Sequence, residues 1–320
     1  VSIIYGGVAL KSYQNSWDRY CTILAANFGI RMTRAPSETW QKVRGHKIHI
    51  DVWEPNAPPK GTLILVHGAG GHGRVLAPAA DFAASMGWRA LAPDLPGYGL
   101  TQPAGDYSGD YGEWPAVIAQ IADETEGPVV LMGLSVGGMT ATFAAEIARK
   151  VDGVIATTLL DMGDPETFEK TARWRWLGAL SRIGFRLIPG LLDRLSLPVW
   201  LVAPMRSMSS DTAMSDYFAK DGLSGGLWVK LRFFRTMHAR KAPTLSLACP
   251  LILIHPGADR WTPTAMSLPA FNRLQGPKTM IELANGSHLP LEDPAFEELK
   301  RHVSQFLDRI SPPCEAKPLC

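Results

Sequence analysis

Residues 128–140 read PVVLMGLSVGGMT: an apolar run, then a lone serine between glycines, then small residues that continue into an alanine-rich stretch. The spacing Gly133-Leu134-Ser135-Val136-Gly137 is a G-x-S-x-G pattern. Alone it says little, since about 0.1–0.2 chance matches are expected in a chain this long. Its context gives it meaning. PVVLMGL is short, apolar and β-branched, the pattern of a buried strand. VGGMTATFAAEIARK has the composition of a helix that ends in basic residues. Ser135 therefore falls at a sharp strand-to-helix turn, where side chains two residues to either side would collide with neighbouring chain. The competing reading is an ordinary serine in a helix N-terminal turn.

Outward from that turn, short apolar runs alternate with helical patterns. VRGHKIHIDVWEP, TLILVH (62–67), WRALAPD (88–94), DGVIATTLL, LILIHPG (251–257) and KTMIELA (278–284) read as further strands. Val75–Met86, residues 114–125 with Pro115 at the start, and residues 294–310 with Asp293 as a cap read as helices. Such alternation predicts an α/β fold with a mostly parallel sheet covered on both faces. Residues 161–245 break the rhythm with helix-like segments and no clear strand. There Asp164-Pro165-Glu166 is a helix start, and Phe168, Ala172, Trp176, Leu180 and Ile183 form an apolar stripe. The predicted organisation is an N-terminal extension of unassigned role (1–40), a core from 41–160 and 246–311, a helical insertion (161–245) and a loose tail (312–320).

The chain has 320 residues, 46% hydrophobic and 19% charged, with a formal net charge of +2. The near-neutral charge gives no field for nucleic acid. Cys21, Cys249, Cys314 and Cys320 lack metal-ligand spacing and are expected as reduced thiols, with a Cys314–Cys320 bridge the less favoured alternative. No charge-free segment reaches transmembrane length. The N-terminal stretch lacks the basic start of a signal peptide, so a cytoplasmic location is the expectation. No metal and no cofactor are predicted, and the oligomeric state is left open.

A nucleophilic serine needs a base. His288, in NGSHLPLEDP after the last expected strand, can take a hydroxyl proton near neutral pH and return it to a leaving group. His46, His49, His67 and His72 precede the serine, His238 and His302 sit in helical stretches, and His255 lies within a strand. The base needs an orienting carboxylate. Asp259, in the turn HPGADRWTP, gives the order Ser…Asp…His. Asp161 is the rival, and Asp94 reads as a turn residue. An oxyanion needs backbone donors; the N–H groups of Val136 and Ala69 are the expected pair, with Gly70 the alternative second donor. A phosphate-loop reading of the glycine-rich HGAGGHG lacks the Lys-Ser/Thr ending.

HGAGGHGR, PDLPGYG, GLSVGG, GADRWTP and GSHLPLED, in this order, resemble the α/β-hydrolase fold superfamily over roughly residues 43–310. The HGAGGHG loop is most similar to monoacylglycerol-lipase-like and serine-aminopeptidase-like hydrolases. The resemblance implies an eight-stranded sheet with a helical cap inserted after the sixth strand. PDLPGYGLTQP departs from the Arg-Gly-His-Gly pattern common in the lipases. A serine at 135 separates the chain from haloalkane dehalogenases and epoxide hydrolases, which carry aspartate there. The implied activity is hydrolysis of a small-molecule carboxylic ester; thioester, lactone, amide and carbon–carbon bond cleavage remain open on the same triad, as does a non-catalytic binder of the same fold. Gly68, Gly70, Trp174, Trp176, Trp261 and Leu289 are the expected substrate contacts. The insertion is rich in Trp and Met, which favours apolar groups. Its basic stretch WVKLRFFRTMHARK (228–241) is expected as a solvated face rather than a membrane surface.

Overall fold

The computed structural model describes residues 4–5, 8–9, 13–240 and 246–310. Cys314, Cys320 and the expected tail 312–320 lie outside the described residues, as does Lys241. The core is one eight-stranded sheet: β1 (Ser37–Val43), β2 (His46–Trp53), β3 (Thr62–Val66), β4 (Arg89–Pro93), β5 (Val129–Gly133), β6 (Gly153–Ala156), β7 (Leu251–His255) and β8 (Lys278–Glu282). Their order across the sheet is β1-β2-β4-β3-β5-β6-β7-β8. β2 runs antiparallel to both neighbours, and every pairing from β4 to β8 is parallel. All positions of β3, β5, β6 and β7 are buried, which is why these strands are continuous apolar runs rather than alternating ones.

Helices α1 (Gln14–Asn27), α2 (Ala77–Ser85), α3 (Glu113–Glu124), α4 (Val136–Ile147), α5 (Pro165–Thr171), α6 (Arg175–Leu187), α7 (Thr212–Lys220), α8 (Leu231–Ala239), α9 (Thr264–Arg273) and α10 (Ala295–Ile310) complete the frame. α3 packs with α4, and α10 packs with α2. In α10, Phe296, Leu299, Val303, Phe306 and Leu307 form one buried stripe at helical spacing. α5 to α8 lie between β6 and β7, the place expected for the insertion.

Four readings need correction. VRGHKIHIDVWEP is not one strand, because Arg44 (φ 51°) and Gly45 (φ 82°) make a tight hairpin turn between β1 and β2. β1 thus begins at Ser37, inside the supposed extension. Its residues are mostly exposed, so it shows little apolar patterning. The expected strand DGVIATTLL stops at Ala156. The stripe through Phe168 and Ile183 is not one helix. Asp164 does cap α5 by accepting from Thr167 N (2.8 Å), but the chain breaks between Thr171 and Arg175. Finally, the insertion does contain strand, a short antiparallel ribbon of Ser196–Pro198 and Trp228–Lys230.

α1 is built into the core rather than appended to it. Tyr20, Ile23 and Leu24 are buried, and Tyr20 Oη donates to Val75 O (2.8 Å). Just before the helix, Tyr13 Oη donates to Asp94 (2.5 Å). Asp94 is fully buried and also accepts from His49 Nδ1 (3.0 Å), Gly73 N (2.7 Å) and Leu100 N (2.7 Å). Burial alone would raise its pKa; the hydrogen bonds from His49 and Tyr13, with the His72 and His49 rings close by, outweigh it and hold the carboxyl well below the ordinary range. His72 stacks on Tyr13 at 4.5 Å, and neither ring nitrogen has a hydrogen-bond partner among the described residues. Burial without a partner disfavours the charged ring and lowers its pKa from the usual 6.5. A proton then binds the unfolded chain more readily than the folded one, so stability falls as pH drops below the ordinary imidazole range. Urea unfolding at about pH 7.5 and about pH 5.5 should differ by ~1 kcal/mol from this group, and His72→Phe should flatten that slope. An unchanged slope in the variant would remove His72 from the account.

Candidate active site

β5 ends at Gly133, α4 starts at Val136, and the chain turns sharply between them. Ser135 has φ 58° and ψ −132°. It and Arg44 are the non-glycine residues with positive φ among the described residues. Such a backbone costs about 1–3 kcal/mol and persists only where surroundings enforce it. Here they do. Leu134 N donates to Val66 O (3.0 Å), Ser135 N to Thr157 Oγ1 (3.3 Å), and Thr158 Oγ1 to Ser135 O (3.0 Å). Those two threonines are the residues at which β6 ends early. The flanking glycines are required by contact: a Cβ on Gly133 would lie 2.1 Å from Gly137 O, and one on Gly137 would lie 2.2 Å from Val66 O.

The loop 67–73 passes directly over this turn. A Cβ on Gly68 would lie 2.9 Å from Ser135 Cβ. His67 fixes the loop from within: Nε2 accepts from Leu95 N (2.9 Å), so the proton sits on Nδ1, which donates to Gly68 O (2.9 Å). Burial lowers its pKa, in keeping with a neutral ring. The N–H groups of Ala69 and Val136 make no hydrogen bond to the described residues, and both residues line one cavity with Ser135. Gly70 takes a left-handed φ of 81° and packs under Met205 and Val199 of the insertion.

His288 is fully buried on the loop after β8. Its Nδ1 donates to Asp259 Oδ2 (2.7 Å). Thr262 Oγ1 donates to the same oxygen (2.7 Å) and lies 3.0 Å from His288 Nδ1. Trp261 N and Thr262 N donate to Asp259 Oδ1, each at 2.9 Å. Burial alone would raise the Asp259 pKa; the His288 charge and hydrogen bond, with the Thr262 donors, outweigh it and hold the carboxyl below its usual value. His288 Nε2 has no hydrogen-bond partner among the described residues, and Ser135 and His288 share no hydrogen bond in this conformation. Trp261 connects them: its ring lies 4.6 Å from the His288 ring and lines the cavity that holds Ser135. The rivals are engaged elsewhere, Asp161 with Arg273 and Asp94 in the buried cluster.

The cavity is narrow, with a volume of about 70 Å³. Leu160, Met162, Phe168, Leu177, Phe185, Val202, Leu231, Phe234 and Met237 give it apolar walls, with Thr171 and Ser181 as polar points. Of the expected contacts, Trp261 lines it. Trp174 and Trp176 do not; they stack on each other at 5.9 Å and are 41% and 62% exposed. Leu289 is buried, and its N–H holds Met208 O (2.9 Å). The site residues that sequence reasoning passed over are Thr157, Thr158, Thr262, His67 and Glu292. Glu292 accepts from Ser287 Oγ and Ser210 Oγ, both at 2.6 Å, and so ties the His288 loop to the insertion. Glu38, His49 and Asp51 bring three potential metal ligands together, but Arg74 donates to both carboxylates, which makes the group an ion-pair cluster.

A model of the alpha/beta hydrolase family matches residues 63–298. A lipase of Mycobacterium tuberculosis, LipV, is 32% identical over 114 residues, covering 36% of this chain and 41% of that protein. A bifunctional biotin biosynthesis protein of Cellvibrio japonicus, BioHC, is 38% identical over 99 residues, covering 29% and 18%. The matched stretches thus span less than half the length of either relative. Among solved structures, the fold is similar to that of a monoacylglycerol lipase of Paleococcus ferrophilus (23% identity, TM-score 0.64, 83% of this chain and 100% of that one). It is also similar to a soluble variant of yeast (Saccharomyces cerevisiae) monoglyceride lipase (18% identity, TM-score 0.69, 90% and 100%).

The packing at the turn is testable. Gly137→Ala should lower unfolding stability by about 1–3 kcal/mol, because its methyl group must displace the Val66 carbonyl. Gly105→Ala, where nothing lies within 4 Å, should stay within about 0.5 kcal/mol of wild type. Equal effects in urea titrations would contradict the steric account.

Proposed function

The chain belongs to the alpha/beta hydrolase family, and from that premise we propose that it is a serine hydrolase cleaving carboxylic esters with apolar acyl groups. The observation that carries the proposal is the union of Ser135 at a strained turn, an apolar cavity in front of it, and a Trp261 ring that touches both the cavity and His288. In this reading α5 to α8 form a cap over the core. Likeness to proteins named as lipases supports the choice of esters.

The reaction follows from the arrangement. His288 Nε2 takes the Ser135 proton as Oγ bonds to the ester carbonyl carbon, and the carbonyl π pair moves onto oxygen. The N–H groups of Ala69 and Val136 receive that oxyanion; losing one such donor typically costs about 10²–10³ in rate. Asp259 steadies the imidazolium and keeps Nδ1 protonated. Collapse breaks the bond to the alcohol, which leaves with the proton from His288. Water then repeats the sequence on the acyl-enzyme and frees Ser135. The cavity walls favour an apolar acyl group at about 25 cal/mol per Å² buried.

A panel of p-nitrophenyl esters of rising chain length, with thioesters and amino-acid amides beside it, tests the reading. Ester turnover should dominate, and Asp259→Asn should lower kcat by about 10³–10⁴-fold. Leu177→Trp should fill the cavity and shift preference toward shorter acyl chains. Preference for thioester or amide would replace the ester assignment, and no turnover of any member by folded protein would favour a binding role.

A further inference from the structure

Nine of the thirteen strongly exposed large apolar side chains among the described residues fall within residues 174–200. On α6 they form one stripe: Trp176, Leu180, Ile183 and Leu187, at i, i+4, i+7 and i+11, are 62%, 57%, 56% and 71% exposed. In the segment that follows the helix, Leu191 and Leu195 are also exposed, at 59% and 46%. The opposite side of the same helix, through Leu177 and Phe185, lines the cavity in front of Ser135. A helix at a protein surface ordinarily turns one apolar stripe inward and a polar face outward. α6 is apolar on both sides, so its outer stripe lacks the cover that its chemistry calls for.

The charges around it indicate what that cover is. Residues 173–200 carry five arginines and one acidic residue, Asp193. Asp193 is already bound by Arg235 (2.6 Å) and Arg232 (3.1 Å). Arg182 and Arg175 face Glu169, at 2.5 and 3.7 Å. Arg186 and Arg194 carry no ion pair among the described residues. Arg173 lies 4.8 Å over the Trp174 ring and 5.7 Å from that of Trp200, giving a cluster with apolar bodies and polar edges. A second copy packed two-fold on this face would meet the same patch, whose one acidic residue is already bound, and so would offer the unpaired arginines no counter-charge. A surface of anionic lipid headgroups would neutralise them and receive the apolar stripe and the tryptophans at its interfacial depth. No helix among the described residues is long and apolar enough to cross a membrane, so the contact is one of lying on the surface.

We propose that α6 and the turn that follows it dock the protein onto an anionic lipid surface. The basic stretch 228–240 is not this surface: Arg232 and Arg235 are spent on Asp193, and Arg240 lies over the Phe143 ring. The inference does not depend on the ester reading, and its test reads binding alone.

The full chain would be sedimented with vesicles of phosphatidylcholine, with and without phosphatidylglycerol, at low and high salt. Wild type should partition onto the mixed vesicles and fall off several-fold in high salt or on neutral vesicles. Leu180→Ser with Leu187→Ser should weaken partitioning by about tenfold or more while leaving the unfolding midpoint in place. Arg186→Glu with Arg194→Glu should lose about tenfold on the anionic vesicles and little on the neutral ones. No partitioning by wild type, or partitioning untouched by the paired leucine changes, would overturn the proposal. So would a lipid-free dimer that those changes abolish while wild type ignores vesicles, which would assign the face to a second copy.

Discussion

The positive φ of Ser135 is a conformation that no side chain prefers, and most of the site is arranged around enforcing it. β3 and β5 must lie side by side so that Val66 O can take the Leu134 N–H and leave only hydrogen-sized space beside Gly137. β6 must end early so that two threonine hydroxyls can clamp the serine's own N–H and C=O. The loop 67–73 must cross close enough to press Gly68 against the Ser135 side chain, and His67 holds it there. The parallel sheet supplies the strand ends, and the strain is met by packing in a fully buried core rather than by any single bond.

The insertion is joined to this centre at points that belong to the site itself. Trp261 donates through Nε1 to Thr171 O (3.1 Å) at the end of α5, while its ring rests against His288. Glu292 links the histidine loop to Ser210. From the other side, Ser16 Oγ on α1 donates to Asp221 (2.6 Å) beyond α7, and Tyr20 stacks on Tyr217 at 5.2 Å. α1 therefore bridges core and insertion while Tyr13 reaches Asp94, which also accepts from Gly73 at the end of the loop 67–73. The part of the chain with the least readable sequence braces both halves.

Much of this was legible beforehand because it is local. A buried parallel strand is a continuous apolar run, and the glycines around Ser135 mark a turn too crowded for side chains, whether the crowding comes from Gly137 itself or from Val66 on the neighbouring strand. Asp259 and His288 were readable from their place on loops after strands, and the structure pairs them at 2.7 Å. What stayed hidden depends on distant parts of the chain. Thr262, Glu292 and the paired threonines are common polar residues whose roles arise only from what folds beside them. β1 was missed because a sheet-edge strand with exposed side chains has little apolar pattern. Trp174 and Trp176 were expected in the cavity because an apolar residue in an insertion is normally covered, and here it is not.

The account stands on Ser135 being an activated nucleophile. Intact-mass measurement after treatment with a fluorophosphonate, on wild type and on Ser135→Ala, tests this most directly. One stoichiometric adduct on the wild type, absent from the alanine variant, is the predicted result. An adduct that persists in the variant, or none on folded wild-type protein, would contradict it.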